Sequence, residues 1–434
     1  MRSSRPIRVH IDQQPNGRNV AGRKRMLFLS EMFPLPVASG SQVRTLNLIQ
    51  RFSERFDITL LTLAADPGYQ AHLGELGQHC VRVVPVVPSN KRSALHRAVF
   101  KALYWVRRIA LAESADRFYN TVPSVNRAIR AELERSRFDV IFCEYWYWDA
   151  KLFEAPGLKV IDANDVQSQR VESLLERTRN PIERILKPFL IRRYKRWEAE
   201  ALNRADVVVA ATTRDRQVFE TMVDGETDQI VIPTGLDTDY FVPQLTEPDL
   251  KNVVFYGSLA NPVNRDALQH LVHNILPRIR ERVPGSRLTI VGAFPTPEAR
   301  AMAERDPNIT LTGYVEDVRE PLAEAGVVVV PLRFGYGIRG RVFELLSMSV
   351  PVVATPVAVA GMELSSGDGL LLAERPNDFA DAVVQVLSDP TLRADLRRRG
   401  REIAVSRLSI AATYDRLTRF LERRTTSTAV PVQS

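Results

Sequence analysis

The 434-residue chain holds only two cysteines, Cys80 and Cys143. Two thiols make neither a disulfide framework nor a metal cluster, and they fit a reducing compartment. Also missing is any apolar run near the roughly 20 residues needed to cross a bilayer. The opening stretch, MRSSRPIRVHIDQQPNGRNVAGRKR, is basic and has no apolar signal-peptide core. We read residues 1–24 as a disordered, solvated tail, with an acid-poor organelle transit peptide as the alternative. Zinc-finger spacing and the aromatic-plus-basic signature of RNA-binding modules are absent as well. That argues against nucleic acid as the main partner.

What is there points to a globular enzyme-sized protein, 45% hydrophobic and 25% charged. A formal charge of +8 makes anionic partners plausible: nucleotides, phosphorylated lipids or a membrane face. The length exceeds what one core ordinarily serves, so two domains are expected.

The patterning agrees. From Arg25 short β-rich runs alternate with amphipathic helical stretches. RMLFLS (25–30), DITLLTL (57–63), VRVVPVV (81–87), FDVIFCEYW (138–146), LKVIDAND (158–165) and ADVVVAAT (205–212) read as strands. The stretch 229–243 carries turn residues, and a second series then opens at 252–257. It continues with RLTIVG (287–292), ITLTG (309–313), VVVVPL (327–332) and PVVAT (351–355). Strands alternating with helices predict parallel sheets covered on both faces. The expected fold class is therefore α/β, with two Rossmann-like halves facing across a cleft and a hinge near Pro233–Thr246. We place an N-terminal domain at 25–235, a C-terminal domain at 236–410, a helix at 411–425 packing back on the first domain, and a loose end at 426–434.

One stretch asks for a ligand. After the apolar run GVVVVPL comes FGYGIRGRVFELLSMSVPVVATP, residues 334–356, with Gly335, Gly337 and Gly340 around Arg339 and Arg341. Gly340 or Arg341 should begin a helix, because Val342, Leu345, Leu346 and Met348 then share one stripe. A helix start offers free N–H groups and partial positive charge, which suit phosphate. Glycines admit close backbone approach, and the arginines could grip a diphosphate. Glu344 lies one turn further in, where a carboxylate could accept ribose hydroxyls. Read alone, Gly335, Gly337 and Gly340 also spell a nicotinamide dinucleotide fingerprint, with Glu363 near the expected ribose acid.

In the acceptor half, Ser39, Gly40 and Ser41 precede a helix carrying Arg44, and Ser41 is an N-cap candidate. Asp162, Asn164 and Asp165 close a strand, where polar side chains reach substrate in doubly wound sheets. Tyr145, Trp146, Tyr147 and Trp148 cluster past another strand and read as core rather than as a sugar platform. Residues 91–114 read as a basic amphipathic helix, either packed or lying on an anionic membrane.

Several of these stretches resemble one family. GLDTDYFVP is similar to the interdomain signature of nucleotide-sugar glycosyltransferases with two Rossmann-like domains, the GT-B superfamily. FYGSL…NRDAL with LPRIRERVPGSRLTIVG resembles their first C-terminal strand–helix–strand unit. Residues 327–363 resemble their donor stretch, and 27–63 their glycine-loop unit. The likeness spans about 25–420 and is nearest to the retaining family 4, in particular bacterial exopolysaccharide sugar transferases.

The resemblance implies transfer of a sugar from a UDP- or GDP-linked donor to a glycan or lipid-linked acceptor, with retention and no cofactor. It assigns donor contacts to Gly257, Ser258, Arg265, Gly337, Arg339, Gly340, Arg341 and Glu344. It assigns the acceptor and glycine loop to Ser39, Gly40, Ser41 and Arg44, and catalysis to Asp162, Asp165 and Arg341. No Asp-x-Asp metal motif stands near the donor stretch, so a metal-free reaction is expected. Nucleic acid is not implied. The expected address is the cytoplasm or the inner face of the cell membrane.

The chain departs from the family in two places. Tyr336 stands where the first motif acid would touch the transferred sugar. Ser258 and Asn264 stand where an arginine and a lysine would touch the diphosphate, with Arg265, or Arg339 and Arg341, as substitutes. A non-catalytic nucleotide-sugar-binding subunit is the alternative that those departures leave open.

Overall fold

The computed structural model describes residues 22–37, 40–64, 67–87, 123–176, 181–334 and 340–427. Residues 1–21 of the basic tail, the 91–114 stretch and the final residues from 428 lie outside them, while Lys24, read as the end of the tail, begins the first strand. The chain forms two compact units, Met1–Pro233 with Tyr414–Ser434, and Thr234–Thr413.

The first unit is built on seven strands: β1 Lys24–Ser30, β2 Phe56–Leu63, β3 Arg82–Val86, β4 Val140–Glu144, β5 Leu158–Asp162, β6 Val207–Ala210 and β7 Asp228–Val231. Every pairing is parallel, in the order β3-β2-β1-β4-β5-β6-β7. Strands such as β2 and β4 are buried along their whole length, as expected where helices cover both faces. The second unit carries β8 Asp249–Tyr256, β9 Arg287–Val291, β10 Ile309–Gly313, β11 Ala325–Val330, β12 Val352–Ala354 and β13 Leu370–Leu372. Its order is β10-β9-β8-β11-β12-β13, again all parallel.

Sequence patterning misses β7 and β13. β7 sits in a stretch read as turn, ahead of Pro233, and its four residues are only partly buried at the sheet edge. β13 is three residues long. Neither offers enough alternation to register as a strand.

In both sheets the strand order reverses beside the first strand, between β1 and β4 and between β8 and β11. Crossovers there run to opposite faces, and the carboxyl ends of these strands open onto a crevice suited to ligands. Each unit thus has one geometrically favoured place for polar chemistry.

The chain returns to the first unit through helix Ile410–Ser427, whose Tyr414, Leu417 and Leu421 are fully buried on one stripe. Lys24 at the start of β1 donates to Thr425 Oγ1 and Thr426 Oγ1, both at 2.7 Å. Within the second unit, Arg401 Nη1 donates to the carbonyls of Thr238, Phe241 and Ser347 at 2.9–3.0 Å. That holds the DTDYF segment against helix Gly340–Ser347. Among the described residues, no helix is long and apolar enough to cross a membrane.

Candidate active site

In the second unit the favoured crevice lies where β8 and β11 end. The sequence reading puts a helix start at Gly340 or Arg341, and the helix runs Gly340–Ser347. Val342, Phe343, Leu345 and Leu346 bury one side of it, so the backbone at Gly340 is held at the strand ends. The first turn of a helix carries partial positive charge.

Arg341 turns back over the end of β8. Its Nη1 donates to Tyr256 O at 2.7 Å and to Asn264 Oδ1 at 3.2 Å. The guanidinium lies against Gly257, where a Cβ would fall 2.0 Å from Nη1. Gly257 also has φ +155°, a conformation that residues with a Cβ rarely take. Glycine here therefore makes room for an arginine side chain of the same protein. The family resemblance marks Gly257 as a donor contact.

Glu344, half-buried, accepts a hydrogen bond from Tyr256 Oη at 3.1 Å. Burial pushes the Glu344 carboxyl up, opposed by the Tyr256 bond and by Arg341. Burial and the adjacent carboxylate push the Tyr256 phenol up. Arg341, Tyr256 and Glu344 form one continuous polar group at the crevice. The sequence reading missed Tyr256, because a tyrosine closing an apolar strand carries no local signal.

The other donor candidates divide. Ser258 Oγ accepts from Ala260 N–H at 3.4 Å, and Ser258 O accepts from Asn264 Nδ2 at 2.8 Å. Arg265 Nη1 donates to Leu259 O and Ala260 O at 3.1 and 2.9 Å, bracing its own loop. Gly335, Tyr336, Gly337 and Arg339 lie outside the described residues. The Asp-x-Asp sequence at Asp237–Asp239 is a turn: Asp237 Oδ1 accepts from the N–H groups of Asp239 and Tyr240 at 3.1 and 2.8 Å.

In the first unit the acidic ends of β4 and β5 lie side by side, Glu144 beside Asp162. Asp162 was expected to meet substrate. It is fully buried, and both of its carboxylate oxygens are taken by Arg44, from Nε at 2.8 Å and Nη2 at 2.7 Å. Arg44 Nη1 also donates to Ile232 O at 3.1 Å, and Tyr414 faces the guanidinium at 5.9 Å. The pair is a structural anchor, and this corrects the catalytic reading of Asp162 and the loop reading of Arg44. Ser41 is likewise not the N-cap. Helix Gly40–Ser53 begins one residue earlier. Ser39 lies outside the described residues. Asp165 is half-buried beside Gln167, whose amide donates to it.

Glu144 is a buried acid that sequence reading missed. Ser30 Oγ donates to it at 2.6 Å, and Thr45 Oγ1 donates to its other oxygen. Burial pushes its carboxyl up to about 8, against the pull of those two hydroxyls. Tyr145, Trp146, Tyr147 and Trp148 are core, as expected, with Tyr145 stacked on Tyr147 at 5.4 Å.

Two all-parallel α/β units of seven and six strands define a GT-B fold, and comparison with solved structures bears this out. Anabaena Alr3699/HepE in complex with UDP is similar at 15% identity and TM-score 0.61, covering 92% of this chain and all of that one. Sucrose-phosphate synthase from Thermosynechococcus elongatus is similar at 16% identity and TM-score 0.62, covering 93% of this chain and all of that one. A variant of S. aureus TarM, in complex with Fondaparinux, alpha-GlcNAc-glycerol and UDP, has 12% identity and TM-score 0.56, covering 92% and 99%. Residues 250–389, which hold β8 through the helix after β13, match the family model "Glycosyl transferases group 1". No curated protein matches in sequence.

Two outcomes test the first-unit geometry. Arg44→Met leaves Asp162 buried and unpaired, so urea unfolding should show a loss of about 3–5 kcal/mol. A loss below about 1 kcal/mol would mean that the pair does not anchor the unit. For Glu144, a raised folded-state pKa means that the native state holds its proton more tightly than the unfolded chain. Stability from this group is then present at low pH and declines as pH rises through the folded value, about 8. Glu144→Gln should flatten the melting temperature between about pH 5 and 8 relative to wild type. Parallel pH curves for the two proteins would refute the assignment.

Proposed function

We propose that this chain is a glycosyltransferase that moves a sugar from a nucleotide-diphosphate sugar to a hydroxyl acceptor, with retention at the anomeric carbon. The observation that carries the reading is the helix start at Gly340 beside Arg341, Tyr256 and Glu344, inside the domain that matches the group 1 glycosyltransferases.

In such a reaction the glycosidic bond to the diphosphate breaks, and negative charge grows on the leaving phosphate. Helix-start amides and the Arg341 charge would stabilise that charge more in the transition state than in the bound donor. In this reading Arg341 acts mainly through its positive charge at the end of β8, and Glu344 receives ribose hydroxyls beside Tyr256. Those two sources of positive character serve where a divalent cation would otherwise stand, and the nucleotide-sugar is substrate with no further cofactor. Asp165 is the remaining acid of the first unit proposed to face acceptor or sugar. UDP, which two of the similar proteins bind, is the first nucleotide to test. Polysaccharide or glycoconjugate assembly is the proposed setting.

Contact with an anionic membrane is part of this proposal. Helix Pro181–Leu202 exposes Ile185 (80%) and Phe189 (50%) one turn apart. Residues 184–197 hold six Lys and Arg and no Asp or Glu. Apolar side chains flanked by cations suit an anionic interface.

Four measurements bear on the proposal. UDP, GDP or ADP at about 100 times its dissociation constant should stabilise the native state by about 2.7 kcal/mol, read as a rise in melting temperature. If none of the three has an effect, the donor assignment fails. Arg341→Ala should cost about 10²–10³-fold in kcat/KM, the scale of losing one charge-stabilising donor. Glu344→Ala should weaken nucleotide binding about tenfold or more, the worth of hydrogen bonds to a charged group. Wild-type nucleotide affinity with no turnover of any donor would favour a binding subunit. The double variant Ile185→Ser, Phe189→Ser should lose sedimentation with phosphatidylglycerol vesicles. Equal recovery of both proteins would remove the membrane face.

A further inference from the structure

We infer that Asn264 is a positioning residue that holds the Arg341 guanidinium over Gly257, so that one cation of this crevice comes from helix Gly340–Ser347. The inference rests on the donor-site reading above and assigns a role that the family resemblance gives to a lysine.

Asn264 lies in the first turn of helix Pro262–His270 and is 2% exposed. A side-chain amide has one donating end and one accepting end. Its Nδ2 donates to Ser258 O at 2.8 Å, and a carbonyl can only accept. That bond turns Oδ1 the other way, toward Arg341 Nη1 at 3.2 Å. Asn264 therefore reads two partners at once, the loop carbonyl after β8 and the incoming guanidinium. The Tyr256 carbonyl supplies a second acceptor for the same nitrogen at 2.7 Å.

Two glycines make the cradle possible. A Cβ on Gly257 would overlap Arg341 Nη1, and a Cβ on Gly292, at the end of β9, would fall 2.2 Å from Gly257 O. Gly292 lets the loop after β8 settle against β9, and Gly257 leaves the space above it for the guanidinium. A lysine at position 264 would bring a second cation against Arg341 and remove the acceptor. The asparagine accepts a hydrogen bond from the arginine, which a lysine cannot do. On this account Ser258 and Asn264 belong to an arrangement in which one cation has moved to another helix, with its binding role retained.

The test is a double-mutant cycle on the full chain, with Asn264→Leu, Arg341→Ala and the pair, read by UDP affinity in calorimetry and by kcat/KM with the accepted donor. Asn264→Leu should cost about tenfold or more in the wild-type background and less than about twofold when Arg341 is already alanine. Asn264→Asp keeps an acceptor for Arg341 and should stay closer to wild type than Asn264→Leu. Equal losses from Asn264→Leu in both backgrounds, or no loss in either, would overturn the inference.

Melting temperatures of all variants separate a folding defect from lost positioning. If wild type binds no nucleoside diphosphate, the donor reading itself has failed. The cycle is then read in unfolding free energy alone, where additivity of the two substitutions would count against the contact.

Discussion

The Arg341 guanidinium rests on a residue without a side chain, and much of the second unit's crevice follows from that contact. Gly257 leaves the space for the guanidinium, Asn264 presents an oxygen to it, and the Tyr256 carbonyl ends β8 facing the same nitrogen. Tyr256 in turn donates to Glu344, one turn along the helix that carries Arg341. A positive group is thereby held at the opening of helix Gly340–Ser347, where the helix dipole already favours an anion. Parallel topology supplies the location, since β8 and β11 end together where the strand order reverses.

The first unit also buries charge at its strand ends, to different effect, with Asp162 closing β5. Arg44 and Asp162 neutralise each other completely out of water, an arrangement that is strongly destabilising to break and only weakly stabilising to have. The pair touches Ile232, next to the residue where the chain leaves the unit, and Tyr414, where it returns. Its value is therefore in fixing how helix Gly40–Ser53 and the two chain crossings meet. Glu144, held by two hydroxyls and pushed toward its neutral form, avoids a second uncompensated charge beside that pair.

How far the sequence could be read depends on range. Val-rich runs, the helix start at Gly340 and the restart after Pro233 are local patterns, and they lead directly to two parallel α/β units. Short edge strands β7 and β13 leave too few residues for a period to emerge. At the site, Gly257, Arg341 and Glu344 were legible as candidates because of their place in a strand–turn–helix pattern. Their partners were not. Tyr256 and Asn264 meet Arg341 from positions 85 and 77 residues away; nothing local marks Tyr256, and Asn264 stood out only as a departure from the family, with no sign that it meets Arg341. Asp162 looked like a substrate ligand because strand ends usually open outward, and only the packing of Arg44 beneath the loop closes it off. The group 1 match over 250–389 falls on the unit where local pattern and final geometry agree most closely.

The central claim is that a diphosphate lodges against the amides that open helix Gly340–Ser347, beside Arg341. A crystal structure of the protein soaked with a UDP- or GDP-sugar tests it most directly. The account predicts phosphate oxygens within hydrogen-bond distance of the backbone N–H groups of Gly340 or Arg341, with the ribose next to Glu344. Phosphates bound elsewhere on the chain, with that helix start left to solvent, would contradict it.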